Sequence, residues 1–188
     1  DERDKKIIAF SAIIPEFTVI QICAYLENPD FEGTIKTLPI YNKQIELLYR
    51  HPYLLLWYTL ISKFYVQWQR MGFTEPIKFL FDRQLGFEAP AYSLFESMRT
   101  MAKSKLAPSF YNLLAGSPEF ADDTDQIPLQ LADMHAWTVR RELSLQDAGD
   151  KVPFEALENF ERVTPMTLRV TKEYLEYMAE SVRVGSGD

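Results

Sequence analysis

Residues 77–82, with the sequence IKFLFD, combine an apolar run of strand length with a carboxylate at its end. The run alternates at its start, becomes fully apolar, and is bounded by Pro76 and Asp82. This pattern predicts a β-strand over residues 77–81. Parallel strands often present ligand-binding groups at their carboxyl ends, so Asp82 is a candidate site residue. The alternative for Asp82 is a turn residue or a helix cap.

Apolar segments on both sides of this strand predict an alternation of strands and helices. Two short apolar runs, residues 7–14 and 110–115, predict further strands, and residues 28–39 predict a loop. Helical periodicity is found over residues 17–26, 41–50, 52–70, 89–103, 128–142, 153–162 and 171–182. Such alternation is typical of an α/β fold with a parallel sheet. We therefore expect the three strands to share one sheet, with the helix at 128–142 packed across it.

The predicted helix at 52–70 is the most apolar element of the chain. Pro52 suits the first turn of a helix, and Met71-Gly72 suits its end. Residues 52–61 are apolar nearly all round the helix, which is typical of a helix enclosed by other elements. We expect its aromatic side chains to belong to the core rather than to a ligand site.

Length and composition limit the class of protein. The chain has 188 residues, of which 47% are apolar, so we expect one folded domain over residues 1–188 with a helical C-terminal extension from about residue 144. No apolar run approaches the about 20 residues that a membrane-spanning helix needs. The single cysteine, Cys23, excludes an internal disulfide and a cysteine-rich zinc site. With no signal-peptide pattern, we expect a cytoplasmic protein without disulfide-linked or membrane partners.

The net charge of −7 bears on the nature of the partner. Affinity for nucleic acid comes mostly from lysine and arginine side chains that neutralise phosphates. The chain as a whole therefore lacks the electrostatic footprint of nonspecific nucleic-acid binding. A local basic surface, or a metal ion held by carboxylates, can still reverse the sign at a site.

Asp133 is a second candidate, because aspartate is unfavourable inside a helix. Its helical neighbours are Leu129, Gln130, Ala136 and Trp137, which predicts a carboxylate on a largely apolar face. A buried carboxylate needs a partner, and the two open alternatives are a metal ion and Arg140. His135 lies about 200° around the helix from Asp133, which excludes a histidine–aspartate dyad.

The other chemically active residue types favour structural roles. Cys23 lies in an apolar pattern that indicates packing rather than a nucleophile. The aspartates at 122, 123 and 125 indicate a solvated acidic loop. There is no glycine-rich phosphate loop and no nucleophile-elbow motif, which argues against the corresponding nucleotide-binding and hydrolase classes.

Four further stretches of the sequence form a pattern: His51-Pro52-Tyr53, IKFLFDRQ (77–84), LAGSPEFADD (114–123) and PLQLADMHAWTVRRE (128–142). In order and spacing they resemble the domain-of-unknown-function family 3800, whose members are mostly bacterial or phage-linked. The resemblance covers about half of the chain and implies a ribonuclease H-like fold, a mixed sheet flanked by helices. The opening strand of the family, which ends in aspartate-glutamate-serine, has no clear counterpart, since Arg3 follows Asp1-Glu2.

The resemblance implies a divalent-metal-dependent nuclease that hydrolyses phosphodiester bonds. Asp82 matches the aspartate that ends a central strand, and Asp133 matches the aspartate of the last conserved helix. Both would bind Mg²⁺ or Mn²⁺ and act in catalysis, because several carboxylates must converge to hold two ions about 3.5–4 Å apart. Gln130 would orient Asp133 or contact the substrate, and Arg83, which replaces a family glutamate, would contact a phosphate. The alternative is a catalytically degenerate binding or interaction module on the same fold.

Overall fold

A computed structural model of the chain describes residues 20–38, 49–104, 108–114, 116–149 and 164–184, and the single residues 5, 8, 9, 11, 12, 15 and 46. Within this part of the chain there are four strands and six α-helices. In chain order they are β1 (Ile20–Leu26), α1 (Asn28–Thr34), α2 (Pro52–Arg70), β2 (Leu80–Asp82), α3 (Glu88–Ser104), α4 (Pro108–Leu113), β3 (Glu119–Ala121), α5 (Ile127–Asp147), β4 (Thr164–Val170) and α6 (Lys172–Val184). A short 3₁₀ helix, Asp123–Asp125, precedes α5.

The fold is mixed α/β, as the class prediction stated, and it is mostly helical. The described strands form two small parallel sheets, in which β1 pairs with β4 and β2 pairs with β3. The more specific ribonuclease H-like arrangement stays a prediction. No described helix is both long enough and apolar enough to cross a lipid bilayer.

The chain clusters into two compact units, each built from two separate segments. The first consists of Asp1–Cys23 and Ala121–Leu168, and the second of Ala24–Phe120 and Arg169–Asp188. The expected single domain over residues 1–188 stays a prediction. The start expected for the C-terminal extension, at about residue 144, lies inside α5, and the helix predicted at 153–162 lies outside the described residues.

Two of the three predicted strands are wrong. In the segment 7–14, Ile8, Ala9 and Ser11 are helical, and the amide of Ala12 donates to the carbonyl oxygen of Ile8 at 3.2 Å. The segment 110–115 falls mostly in helix α4, which begins at Pro108. A short apolar run fits a buried strand and a buried helix equally well, so periodicity alone does not separate them. The predicted single three-stranded sheet is therefore wrong as well.

Strand β1 replaces the predicted helix at 17–26, and α1 replaces most of the predicted loop at 28–39. β1 has the sequence IQICAYL, in which only Gln21 is polar, and Ile22–Leu26 are all partly buried. β-Branched isoleucine favours extended backbone. Helix α1 begins at Asn28-Pro29, where a proline without an amide hydrogen is tolerated in the first turn.

The strand predicted at 77–81 is confirmed at its carboxyl end, where β2 covers Leu80–Asp82. The amide of Glu119 donates to the carbonyl oxygen of Phe79 at 2.9 Å, which registers β3 against the start of β2. Lys78 and Glu119 form an exposed ion pair of 2.9 Å beside this hydrogen bond. The short sheet therefore covers only the apolar, carboxyl-terminal part of the predicted strand.

Helix α2 lies at the centre of the core of the second unit, as its sequence predicts. Leu54, Leu55, Trp57 and Ile61 are buried in it, and they pack in one cluster with Phe95 of α3. The same cluster contains buried residues of α1, α3 and α6, with Phe31, Met98 and Leu175 among them. Helix α6 packs on α1, and α3 packs on α4.

Strand β4 and the start of α6 follow local sequence signals. Met166, Leu168 and Val170 are at least half-buried and alternate with the exposed Thr167 and Arg169. The same alternation of apolar and polar residues stands in the sequence, where it indicates a strand. The hydroxyl of Thr171 accepts a hydrogen bond from the amide of Tyr174 at 3.4 Å, so Thr171 caps the start of the last helix.

The first prediction concerns the burial of α2. Leu55→Ala should lower the free energy of unfolding by ~2–5 kcal/mol, because Leu55 is 0% exposed and its removal leaves a cavity. Val66→Ala is the matched control on the same helix, since Val66 is 41% exposed, and should change stability by less than ~0.5 kcal/mol. Urea unfolding followed by circular dichroism measures both. Equal effects of the two substitutions would contradict the enclosed position of α2.

Candidate functional site

Asp82 is the last residue of β2, and its side chain is exposed. The direction of the side chain follows from the strand. Phe79 and Phe81 point inward, where the Phe81 ring lies 5.3 Å from that of Trp57 and the Phe79 ring lies 5.6 Å from that of Phe95. Side chains alternate along a strand, so Asp82 points away from these rings. Among the described residues it makes no hydrogen bond and no ion pair.

The carboxylate of Asp82 acts electrostatically on Tyr53, in the first turn of α2. The pKa of the Tyr53 phenol is raised, first by burial and second by the negative charge of Asp82. The Tyr53 ring packs edge-on against Phe87, with 5.0 Å between the ring centroids, and His51 also contacts Phe87. An aromatic wall with one phenol thus lies within electrostatic range of the exposed carboxylate.

Arg83 was predicted to contact a phosphate of the substrate. In the structure its Nε lies 3.2 Å from Oε1 of Glu88, and its Nη2 donates to the carbonyl oxygen of Phe120 at 3.2 Å. Both charged side chains are about half exposed, so the ion pair contributes at most about 1 kcal/mol. The guanidinium of Arg83 therefore already has protein partners. Its ion pair with Glu88 is weak, so a phosphate can compete with Glu88 for it.

Glu88 is the acidic residue that the sequence analysis missed. It opens α3 six positions after Asp82, and its carboxylate lies beside the arginine that follows Asp82. The signal in the sequence was a glutamate in the first turn of a helix, where the helix dipole favours a negative charge. That signal is common in helices, so it does not single out Glu88 without the ion pair.

Asp133 lies on the exposed side of α5. Ala132, Ala136 and Arg140 are exposed with it, while Leu129, Thr138 and Val139 are buried on other sides of the helix. The expected apolar surroundings are therefore wrong, and a hydrated carboxylate needs no partner. No ion pair joins Asp133 to Arg140 among the described residues. His135 is mostly buried, and burial lowers its pKa.

Gln130 holds the turn before α5. Its Nε2 donates to the carbonyl oxygen of Asp123 at 2.9 Å and to that of Thr124 at 3.2 Å. Oδ1 of Asp122 accepts from the amide and the hydroxyl of Thr124, at 3.0 and 2.7 Å. The acidic segment predicted as a solvated loop is thus a hydrogen-bonded 3₁₀ turn. The expected role of Gln130 towards Asp133 or the substrate stays a prediction.

The two predicted metal ligands belong to different compact units, Asp82 to the second and Asp133 to the first. The convergence of their carboxylates, and with it the magnesium or manganese site, stays a prediction. Within the described part of the chain, no three histidine, cysteine, aspartate or glutamate residues are grouped so that they could hold a metal ion. Cys23 is half-buried, and burial raises the pKa of its thiol, which agrees with a packing role.

Comparisons with protein-family models, with curated proteins and with solved structures find no match to this chain. The resemblance to family 3800 and its implied activity therefore stay predictions.

The second prediction tests the electrostatic reach of Asp82. Asp82→Asn should lower the pKa of Tyr53 towards 10 without reaching it, because burial is the larger cause of the raised value. Nuclear magnetic resonance titration of ¹³C-labelled tyrosine, with Tyr53→Phe for assignment, measures this pKa. Tyr53 stabilises the fold below pH 10 and loses that contribution as the pH rises further, so Asp82→Asn should reduce the alkaline loss of stability. An unchanged Tyr53 pKa would place Asp82 out of range.

Proposed function

We propose that the chain is a divalent-metal-dependent nuclease that hydrolyses phosphodiester bonds in nucleic acid. The observation that supports this most is the carboxylate of Asp82, exposed at the carboxyl end of a parallel strand and without a protein hydrogen bond among the described residues. Ligand-binding groups of open α/β sheets often lie at this position. The resemblance of residues 51–142 to family 3800 supports the same activity.

The exposed donor atoms fit a hard cation. Mg²⁺ and Mn²⁺ prefer carboxylate oxygens, and Asp82 and Asp133 both present theirs to solvent. A bound divalent ion would supply electrostatic stabilisation of the charge on the phosphate oxygens. We assign Asp82 and Asp133 to ion binding, and Arg83 to the phosphate once its guanidinium leaves Glu88. Glu88 would then be a further carboxylate near the phosphate.

The same proposal includes a ribonuclease H-like arrangement and a cytoplasmic location in a bacterial cell. The parallel pairing of β2 with β3 supports the ribonuclease H-like arrangement, because the carboxyl ends of the two strands then lie at the same edge of a sheet. The single half-buried cysteine suits a reducing compartment.

A non-catalytic binding module is the second candidate. The contacts of Arg83 favour it. The guanidinium that was expected to bind a phosphate is already paired with Glu88 and with the carbonyl oxygen of Phe120.

The third prediction separates the two candidates. Purified protein should cleave single-stranded or double-stranded oligonucleotides only when Mg²⁺ or Mn²⁺ is present, and Asp82→Asn should lower the cleavage rate at least about 100-fold, since it removes a negative ligand and keeps the size of the side chain. Asp133→Asn should also lower the rate of metal-dependent cleavage. Asp147→Asn is the control, because Asp147 is exposed at the end of α5, far along the helix from Asp133.

Circular dichroism and thermal melts of the three variants show whether they fold. Metal-dependent cleavage that survives in both Asp82→Asn and Asp133→Asn would exclude these residues as ligands. Absence of cleavage in the folded protein, together with oligonucleotide binding that is independent of the metal, would establish the binding module instead.

A further inference from the structure

A pocket of about 320 Å³ lies at the carboxyl end of α2, apart from Asp82. Three sets of residues line it: Tyr65, Trp68 and Gln69 of α2; Gly72, Phe73 and Thr74 of the following turn; and Ser109, Asn112 and Leu113 of α4. All of them belong to the second compact unit. The volume is in the range of sites for small molecules.

The turn that ends α2 builds the aromatic wall of this pocket. Gly72 adopts a positive φ of 80°, which is unfavourable for residues with a side chain. The amide of Phe73 then donates back to the carbonyl oxygen of Trp68 at 3.2 Å, which closes the end of the helix. The Phe73 and Trp68 rings stack with 4.2 Å between their centroids, and Phe64 stacks on Trp68 at 5.4 Å.

The opposite wall is polar and uncharged. Oγ of Ser109 lies 2.7 Å from the hydroxyl of Tyr65 and accepts from Nε2 of Gln69 at 3.0 Å. This arrangement fixes the Gln69 amide and leaves its oxygen as an acceptor. Asn112 is exposed and makes no hydrogen bond to any residue that the structure describes. Its amide therefore offers one donor group and one acceptor in the pocket.

We propose that this pocket binds an uncharged, planar heteroaromatic ring of nucleobase size. Among the residues that the structure describes, the lining has no charged side chain, so this part of the pocket does not suit a phosphate or a carboxylate as the recognised group. Stacked aromatic rings beside two side-chain amides match a ring that has a π-face and both donors and acceptors on its edge. The choice of a nucleobase rests on the proposed action on nucleic acid, and the pocket would then hold one unstacked base of the substrate.

The indole resonances of the protein provide the test. The chain has three tryptophans, so a ¹H–¹⁵N spectrum shows three indole signals, and Trp68→Phe identifies the signal of Trp68. Adenosine and cytidine, added without metal, should shift that signal and leave those of Trp57 and Trp137 in place. Asn112→Ala should weaken this binding about fivefold, the effect of one lost hydrogen bond. Gln146→Ala, which removes an exposed amide from α5, should leave it unchanged.

Ribose is the matched ligand control, since it has the hydroxyls of a nucleoside and no aromatic ring. An equal shift with ribose would show that the pocket recognises a sugar and would overturn the proposal. No shift with either nucleoside at about 10 mM, well above a millimolar Kd, would overturn it as well. Gln69→Ala gives a second variant if Asn112→Ala does not fold. Because the test uses neither a metal nor a phosphodiester, a chain without nuclease activity still gives a decisive result.

Discussion

The enclosure of helix α2 is the constraint on which the second unit depends. Its buried side chains are mostly apolar, so they are stable only among apolar neighbours. The transfer of such surface out of water is the main driving force of folding. Trp57 contacts Phe81 at 5.3 Å and Phe95 at 6.2 Å, so β2 and α3 are both positioned against this one side chain. The inward direction of Phe81 in turn leaves Asp82 outward. The exposed carboxylate is thus a consequence of hydrophobic packing one residue earlier.

Long periodic segments with clear termini were predictable from the sequence. The proline at the start of α2, Gly72 at its end and the threonine before α6 are local signals, and each acts through one backbone group. The segments at 7–14 and 110–115 were not predictable, because a six- to eight-residue apolar run satisfies a buried helix as well as a buried strand. The second of these segments makes contacts with residues distant in sequence, such as the packing of Phe110 on Tyr65. The sequence of strand β4 alternates apolar and polar residues over only five positions. The burial of its apolar side chains in the structure confirms the strand that this pattern indicates.

The candidate site also has one part that was predictable from the sequence and parts that were not. The position of Asp82 at a strand end was readable from six consecutive residues. The partners of Arg83 were not, because Phe120 lies 37 positions away and Glu88 is an ordinary glutamate of a helix start. For Asp133, helical neighbours suggested an apolar face, yet its neighbours Ala132 and Ala136 are small residues on the solvent side. Alanine is favourable in helices whether buried or exposed, so it carries little information about which face is buried.

The construction of each unit from two distant segments bears on how the chain is made. Residues 24–120 leave the ribosome well before residues 169–188, yet Val170, Leu175 and Met178 belong to the same core cluster as α2. Until that last segment emerges, the apolar face that it covers stays open to water and to other chains. Domains usually fold as units during synthesis, and exposed apolar surface at that stage promotes aggregation. The time needed to synthesise residues 121–168 therefore sets how long this face stays uncovered in a nascent chain.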